Sequence, residues 1–147
     1  MNKVFYKARL AMTEEGMQVV FDKYHAIHET NCYFFCVRTW NYPIPSPLKK
    51  HGESDYQTAK RIKYKIIKVQ KGCSRIAFET EDDAFSNLLF LKRRQIGHMK
   101  RDLDLLQFFL ERVGGKGISA LDRGVRWPEI YTLPNSQEKL CEYYVFD

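Results

Sequence analysis

From Ile96 onward, apolar residues return at alternating steps of three and four: Ile96, Met99, Leu103, Leu106, Leu110 and Val113. Such spacing draws one apolar stripe along an α-helix, and no other feature restricts the fold so strongly. Phe85 and Leu89 extend the stripe backward, with Lys92 as its one polar interruption. Thr80 stands ready to cap the free amides, and Glu81, Asp82 and Asp83 suit the positive end of the helix dipole. Gly114-Gly115 is an ordinary helix stop. These signals predict a helix from Thr80 to Arg112.

A helix of that length would be about 50 Å long, whereas a compact chain of this size is only about 40 Å across. The helix therefore breaks, with Gly97 the obvious place, or it projects and pairs with a second copy. The alternation of three and four is the repeat of paired helices. It predicts a homodimer with Ile96, Met99, Leu103, Leu106 and Leu110 at the interface. Leu88, Phe90, Leu91, Phe108 and Phe109 lie off this seam, so the helix should pack on a sheet as well.

The remaining chain reads mostly as strands. Residues 3–12 alternate imperfectly and predict a first strand. Residues 17–29 fit a helical stripe or a strand; the turn at Glu29-Thr30-Asn31 before an aromatic run favours a strand and a hairpin. The run Cys32-Tyr33-Phe34-Phe35-Cys36-Val37 is apolar on both faces, as in a strand buried on both sides. Pro43, Pro45 and Pro47 force an irregular segment. Arg61 to Ile66 alternates strictly, which predicts a strand with Ile62, Tyr64 and Ile66 inward and Arg61, Lys63 and Lys65 outward. Residues 74–78 would return as its hairpin partner, and residues 140–146 read as a final strand. The expected fold is a single α+β domain over residues 1–147, an antiparallel sheet of hairpins packed against one long amphipathic helix.

Composition supports a folded core: the 147 residues are 44% apolar and 14% aromatic, well above what disorder allows. No run approaches the roughly 20 apolar residues that span a bilayer. The charged N-terminus does not resemble a signal peptide. The chain is thus expected to stay in a reducing compartment, with its four cysteines as thiols.

The net charge of +6 is unevenly spread. Residues 49–75 hold nine Lys and Arg against Glu53 and Asp55, and residues 92–101 hold five without an acid. Such polarity suits an anionic partner. Lys60, Arg61, Lys63 and Lys65 on one strand face, with Trp40 and Tyr42 before them, would track phosphates and stack a base. Lys92, Arg93, Arg94, Lys100 and Arg101 would extend that patch along the helix.

Other chemistry is less well supported. His25, His28, Cys32 and Cys36 are all zinc-ligand types, yet on a strand Cys32 and Cys36 would stand about 13 Å apart, too far for one ion. Gly114-Gly115-Lys116-Gly117 ends a helix, whereas a phosphate loop opens one. No serine or cysteine sits in a nucleophile signature. These readings predict no metal and no cofactor, and they give no reason to expect an enzyme.

The segment Arg75-Ile-Ala-Phe-Glu-Thr-Glu-Asp-Asp-Ala-Phe-Ser-Asn-Leu-Leu-Phe-Leu-Lys-Arg-Arg-Gln-Ile96 joins a short strand to a helix through Thr-x-x-x-Ala, and that helix bears Lys-Arg-Arg-Gln. Within residues 62–112 it resembles small bacteriophage accessory proteins. The resemblance brings no catalytic residues. It implies a protein acting in the host cytoplasm by binding and blocking, host defence systems included. The expected role is therefore a counter-defence inhibitor whose basic face captures nucleic acid, a nucleotide signal or an acidic host protein. A small nuclease or phosphodiesterase and an oligomeric assembly protein are the alternatives.

Overall fold

Strands β1 (Val4–Thr13) and β2 (Gly16–Glu29) form an antiparallel hairpin, registered from Val4 opposite His25 to Thr13 opposite Gly16. The turn needs Gly16, whose φ of 120° a side chain would resist. The ambiguous stretch after Gly16 is thus a strand. The computed structural model describes residues 3–124 and 130–144. Its contacts define two compact units, Met1–Leu91 and Lys92–Asp147.

In the first unit, β3 (Tyr33–Arg38) pairs with β2, and β4 (Ile67–Gln70) pairs with β3, giving an antiparallel sheet in the order β1-β2-β3-β4. A bulge between Ala26 and His28 shifts the register of β2. The run from Cys32 to Val37, expected to be buried on both sides, is so only in part: Phe34, Cys36 and Val37 are buried and Phe35 half-buried, whereas Cys32 and Tyr33 at its start are exposed. Phe34 and Cys36 join Phe5, Tyr24, Ala26, Val69 and Ala77 in one core cluster. Val37 packs with Ile44 and Ala59 in a second.

The expected strand over Arg61–Ile66 does not form. Ser54 and Gln57 make a capping box that opens a short helix, α1 (Asp55–Arg61), and the chain then turns through Lys63 at φ 60°. Tyr64 and Ile66 do pack inward, against the second cluster, but from irregular backbone. The expected hairpin with residues 74–78 is also absent. After β4, Gly72 turns the chain and the Ser74 hydroxyl accepts from the Ile76 and Ala77 amides. Phe78 then exchanges two backbone hydrogen bonds, of 2.7 and 2.8 Å, with Tyr6 on β1. The segment after one edge strand thereby pairs with the other edge strand, and the sheet curls.

Helix α2 (Glu81–Val113) has nearly the predicted bounds. Thr80 Oγ1 accepts from the Asp83 amide at 3.1 Å, and its hydroxyl donates to the Asp83 carboxylate at 2.7 Å. Ala84 and Leu88 are buried where the first turns pack into the first unit. The fold is α+β, an antiparallel sheet packed with a long helix. That helix runs through Gly97 without a break.

In the second unit the helix leads into a 3-10 segment, Gly114–Ala120, and a two-residue pairing of β5 (Asp122–Arg123) with β6 (Tyr131–Thr132). The predicted final strand is corrected in part: Leu140 and Cys141 belong to α3 (Gln137–Cys141), and Glu142 and Tyr143 form a turn. Lys139 favours the helical course, because it reaches Glu142 one turn later at 3.0 Å and Asp104 at 2.9 Å. Val145 and Phe146 lie outside the described residues. Among the described residues, no helix is long and apolar enough to cross a membrane.

Candidate anion-binding surface

On a helix, the nearest surface neighbours of a residue stand three and four positions away on each side. For Gly97 these are Arg93, Arg94, Lys100 and Arg101, all basic. Glycine supplies no side chain, and a Cβ built there would meet nothing within 4 Å. The result is a hollow with a backbone floor and cationic walls. Arg94, Gly97, His98, Lys100, Arg101 and Tyr143 line an open cleft of about 530 Å³ at this point. The two cationic pairs stand about 10 Å apart along the axis, with room for a phosphoryl group between them.

The charge of this hollow is not neutralised from below. Asp104 occupies the position one turn beyond Lys100 and Arg101, where it would pair with either. It is engaged elsewhere: Lys139 reaches it at 2.9 Å, and the Tyr143 hydroxyl donates to it. These bonds, Tyr143 first and Lys139 second, hold the Asp104 carboxyl below its usual range. The same bond from Tyr143 raises the phenol's pKa, and Asp104 raises that of Lys139. Arg101 is steadied by Asp102 at 3.2 Å and by the Tyr144 ring, 4.9 Å from its guanidinium carbon. Arg93, Arg94 and Lys100 stand outside the ion pairs formed among the described residues of this unit. Lys92 donates to Gln95 at 3.1 Å.

The other basic residues named from the sequence do not share a strand face. Lys60 and Arg61 end α1, Lys63 lies in the turn, and Lys65 is exposed on irregular backbone. Arg61 is committed to Glu53 and to the Leu48 carbonyl. The Lys60 ammonium lies 4.6 Å from the centre of the Tyr56 ring. Tyr42 is not an open stacking surface, because it lies flat on His25 with centroids 4.7 Å apart and packs on the second core cluster. Trp40 is 69% exposed, backed by the Arg38 guanidinium at 4.6 Å.

The zinc-type residues are dispersed. His25 stacks on Tyr42, His28 stacks on Tyr56, Cys36 is fully buried and Cys32 is exposed. Among the described residues, no three His, Cys, Asp or Glu side chains gather to hold a metal ion.

The seam residues Ile96, Met99, Leu103, Leu106 and Leu110 are all exposed, on the side of the helix away from Gly97. The four basic neighbours were named from the sequence, whereas Gly97 was considered only as the place where the helix could break, the alternative to pairing. Sequence reasoning missed Tyr143, whose contribution depends on a chain segment 39 residues beyond Asp104. Comparisons with protein-family models, with curated proteins and with solved structures return no match.

Proposed function

We propose that this chain is a phage-type accessory protein that acts by binding, and that the Gly97 hollow captures a phosphate-bearing partner, nucleic acid or nucleotide. The observation that supports the reading is that all four helix neighbours of one open glycine are basic, that Asp104 is held by Lys139 and Tyr143, and that Asp102 pairs with Arg101 alone. Guanidinium groups offer planar pairs of donors that match phosphate oxygens, and three of the four helix neighbours of Gly97 are arginine, two of which, Arg94 and Arg101, line the cleft. The resemblance over residues 62–112 supports a role in the cytoplasm of an infected bacterium. Withholding a nucleotide signal or nucleic acid from a host defence system is the service such capture performs.

The test is retention of labelled single-stranded and duplex oligonucleotides, and of nucleotides, across a salt series. Affinity should fall as salt rises, because each phosphate contact releases counterions. Replacing Arg93, Arg94, Lys100 and Arg101 with glutamine should remove retention and leave the circular dichroism spectrum in place. Unchanged retention in that variant would defeat the reading. Retention only of an acidic protein would redirect it to a protein target. Turnover of a nucleotide or oligonucleotide with Mg²⁺ would replace it with a hydrolytic one.

A further inference from the structure

The second unit leaves an apolar seam in water. Ile96, Met99, Leu103, Leu106 and Leu110 are 52%, 62%, 56%, 61% and 67% exposed. The C-terminal segment packs on a different face of the helix, where Leu133 and Leu140 close over Leu105, Phe108 and Phe109. We propose that the seam binds a second copy of this chain, helix against helix, and that the Gly97 hollows stay free on the outer sides of the pair.

Three observations select a second copy as the occupant. The steps of three and four are those of a two-helix seam, a stripe narrower than the one a helix presents to a globular core. The complement of such a seam is another of the same kind, so two copies satisfy each other in a symmetric interface. The area also suffices: two copies would bury on the order of 1,000 Å² through these five residues alone, where specific interfaces begin. Lys92 bounds the seam on its N-terminal side, and Gln95, Lys100, Asp102 and Gln107 flank it, so no run of like charge opposes itself across the pair.

The seam lies about 140° around the helix from Gly97. Pairing therefore turns the two basic hollows away from each other. A pair of this kind presents two separate anion sites rather than one shared groove. That consequence rests on the functional reading above; the pairing itself does not.

Light scattering at about 50 µM, a concentration that populates any pair with a micromolar dissociation constant, should give twice the 17.5 kDa of one chain. A monomer at that concentration would overturn the proposal. The combined change Leu103→Asp and Leu106→Asp should give a folded monomer, since both side chains already meet water in one copy. Should that variant leave solution, Met99→Lys decides the matter, with an expected weakening of the pair of at least tenfold. Unchanged pairing in the variants would overturn the seam as the interface. The pair of changes Arg94→Gln and Arg101→Gln, which leaves Lys100 beside the seam in place, should weaken anion capture and remain paired, which separates a failure of pairing from a failure of anion capture.

Discussion

The guanidinium of Arg61 lies against the carboxylate of Glu53, with Nε 2.8 Å from Oε1 and Nη2 2.7 Å from Oε2. Glu53 also accepts from the Thr58 hydroxyl at 2.9 Å and the Lys50 amide at 3.2 Å. One carboxylate thus ties the last residue of α1 to the segment that precedes its first turn. A charge that alternation pointed at solvent is the clasp of a short helix, which by itself would be too short to persist in water.

This clasp should be sensitive to acid. The hydrogen bond from Arg61, with those from Lys50 and Thr58, pulls the Glu53 pKa from 4.5 down to about 2. A carboxylate whose pKa falls on folding stabilises the fold fully above its unfolded pKa, and that contribution is lost as pH drops toward the folded value. The order of α1 should therefore weaken between about pH 4.5 and pH 2. In Glu53→Gln that component is missing at every pH, so its acid response should be shallower. Amide exchange at Thr58 and Ile62 reads the difference; identical acid profiles in both proteins would count against the clasp.

The contrast between α1 and α2 shows what was legible in the sequence. The bounds of α2 could be read because its signals are local: Thr80 and Asp83 at one end, Gly114 at the other, and a stripe repeated over several turns. The alternation from Arg61 to Ile66 was also local, but it has two physical causes that look alike. A strand alternates by its pleat, and here a turn at Lys63 followed by irregular chain sends Tyr64 and Ile66 inward equally well. The Ser54–Gln57 capping box was the signal that separates them. The pairing of Phe78 with Tyr6 was beyond reach, because a long-range bridge leaves no periodic mark. The hollow was half legible: the basic spacing around Gly97 stands in the sequence, whereas the withdrawal of Asp104 by Tyr143 and Lys139 is set by tertiary contacts.

The cysteines should divide by reactivity. Cys36 is fully buried in the first core cluster, and burial pushes its pKa up to about 12. Cys32, Cys73 and Cys141 are exposed. The thiolate is the reactive form, so a maleimide at neutral pH should label three sites quickly and Cys36 only after denaturation. Mass spectrometry of the labelled chain checks this, and rapid modification of Cys36 in the folded protein would show that the cluster opens.

Gly97 offers a test in which stability and binding should move in opposite directions. Glycine inside a helix costs roughly 0.5–1 kcal/mol relative to alanine, because it gives up more backbone freedom on folding. Gly97 sits mid-helix, and an added Cβ meets no atom within 4 Å, so no steric penalty offsets the gain. Gly97→Ala should therefore raise the melting temperature by about 2–4 °C. Gly97→Gln should stay folded while its uncharged side chain fills the space between the two cationic pairs. If phosphate settles on the open backbone there, anion affinity should drop at least tenfold in the glutamine variant and less in the alanine variant. Had the glycine no part in binding, the glutamine variant would keep full affinity, since every basic side chain is still present. Melting curves and salt-dependent retention on the same two proteins decide between these outcomes.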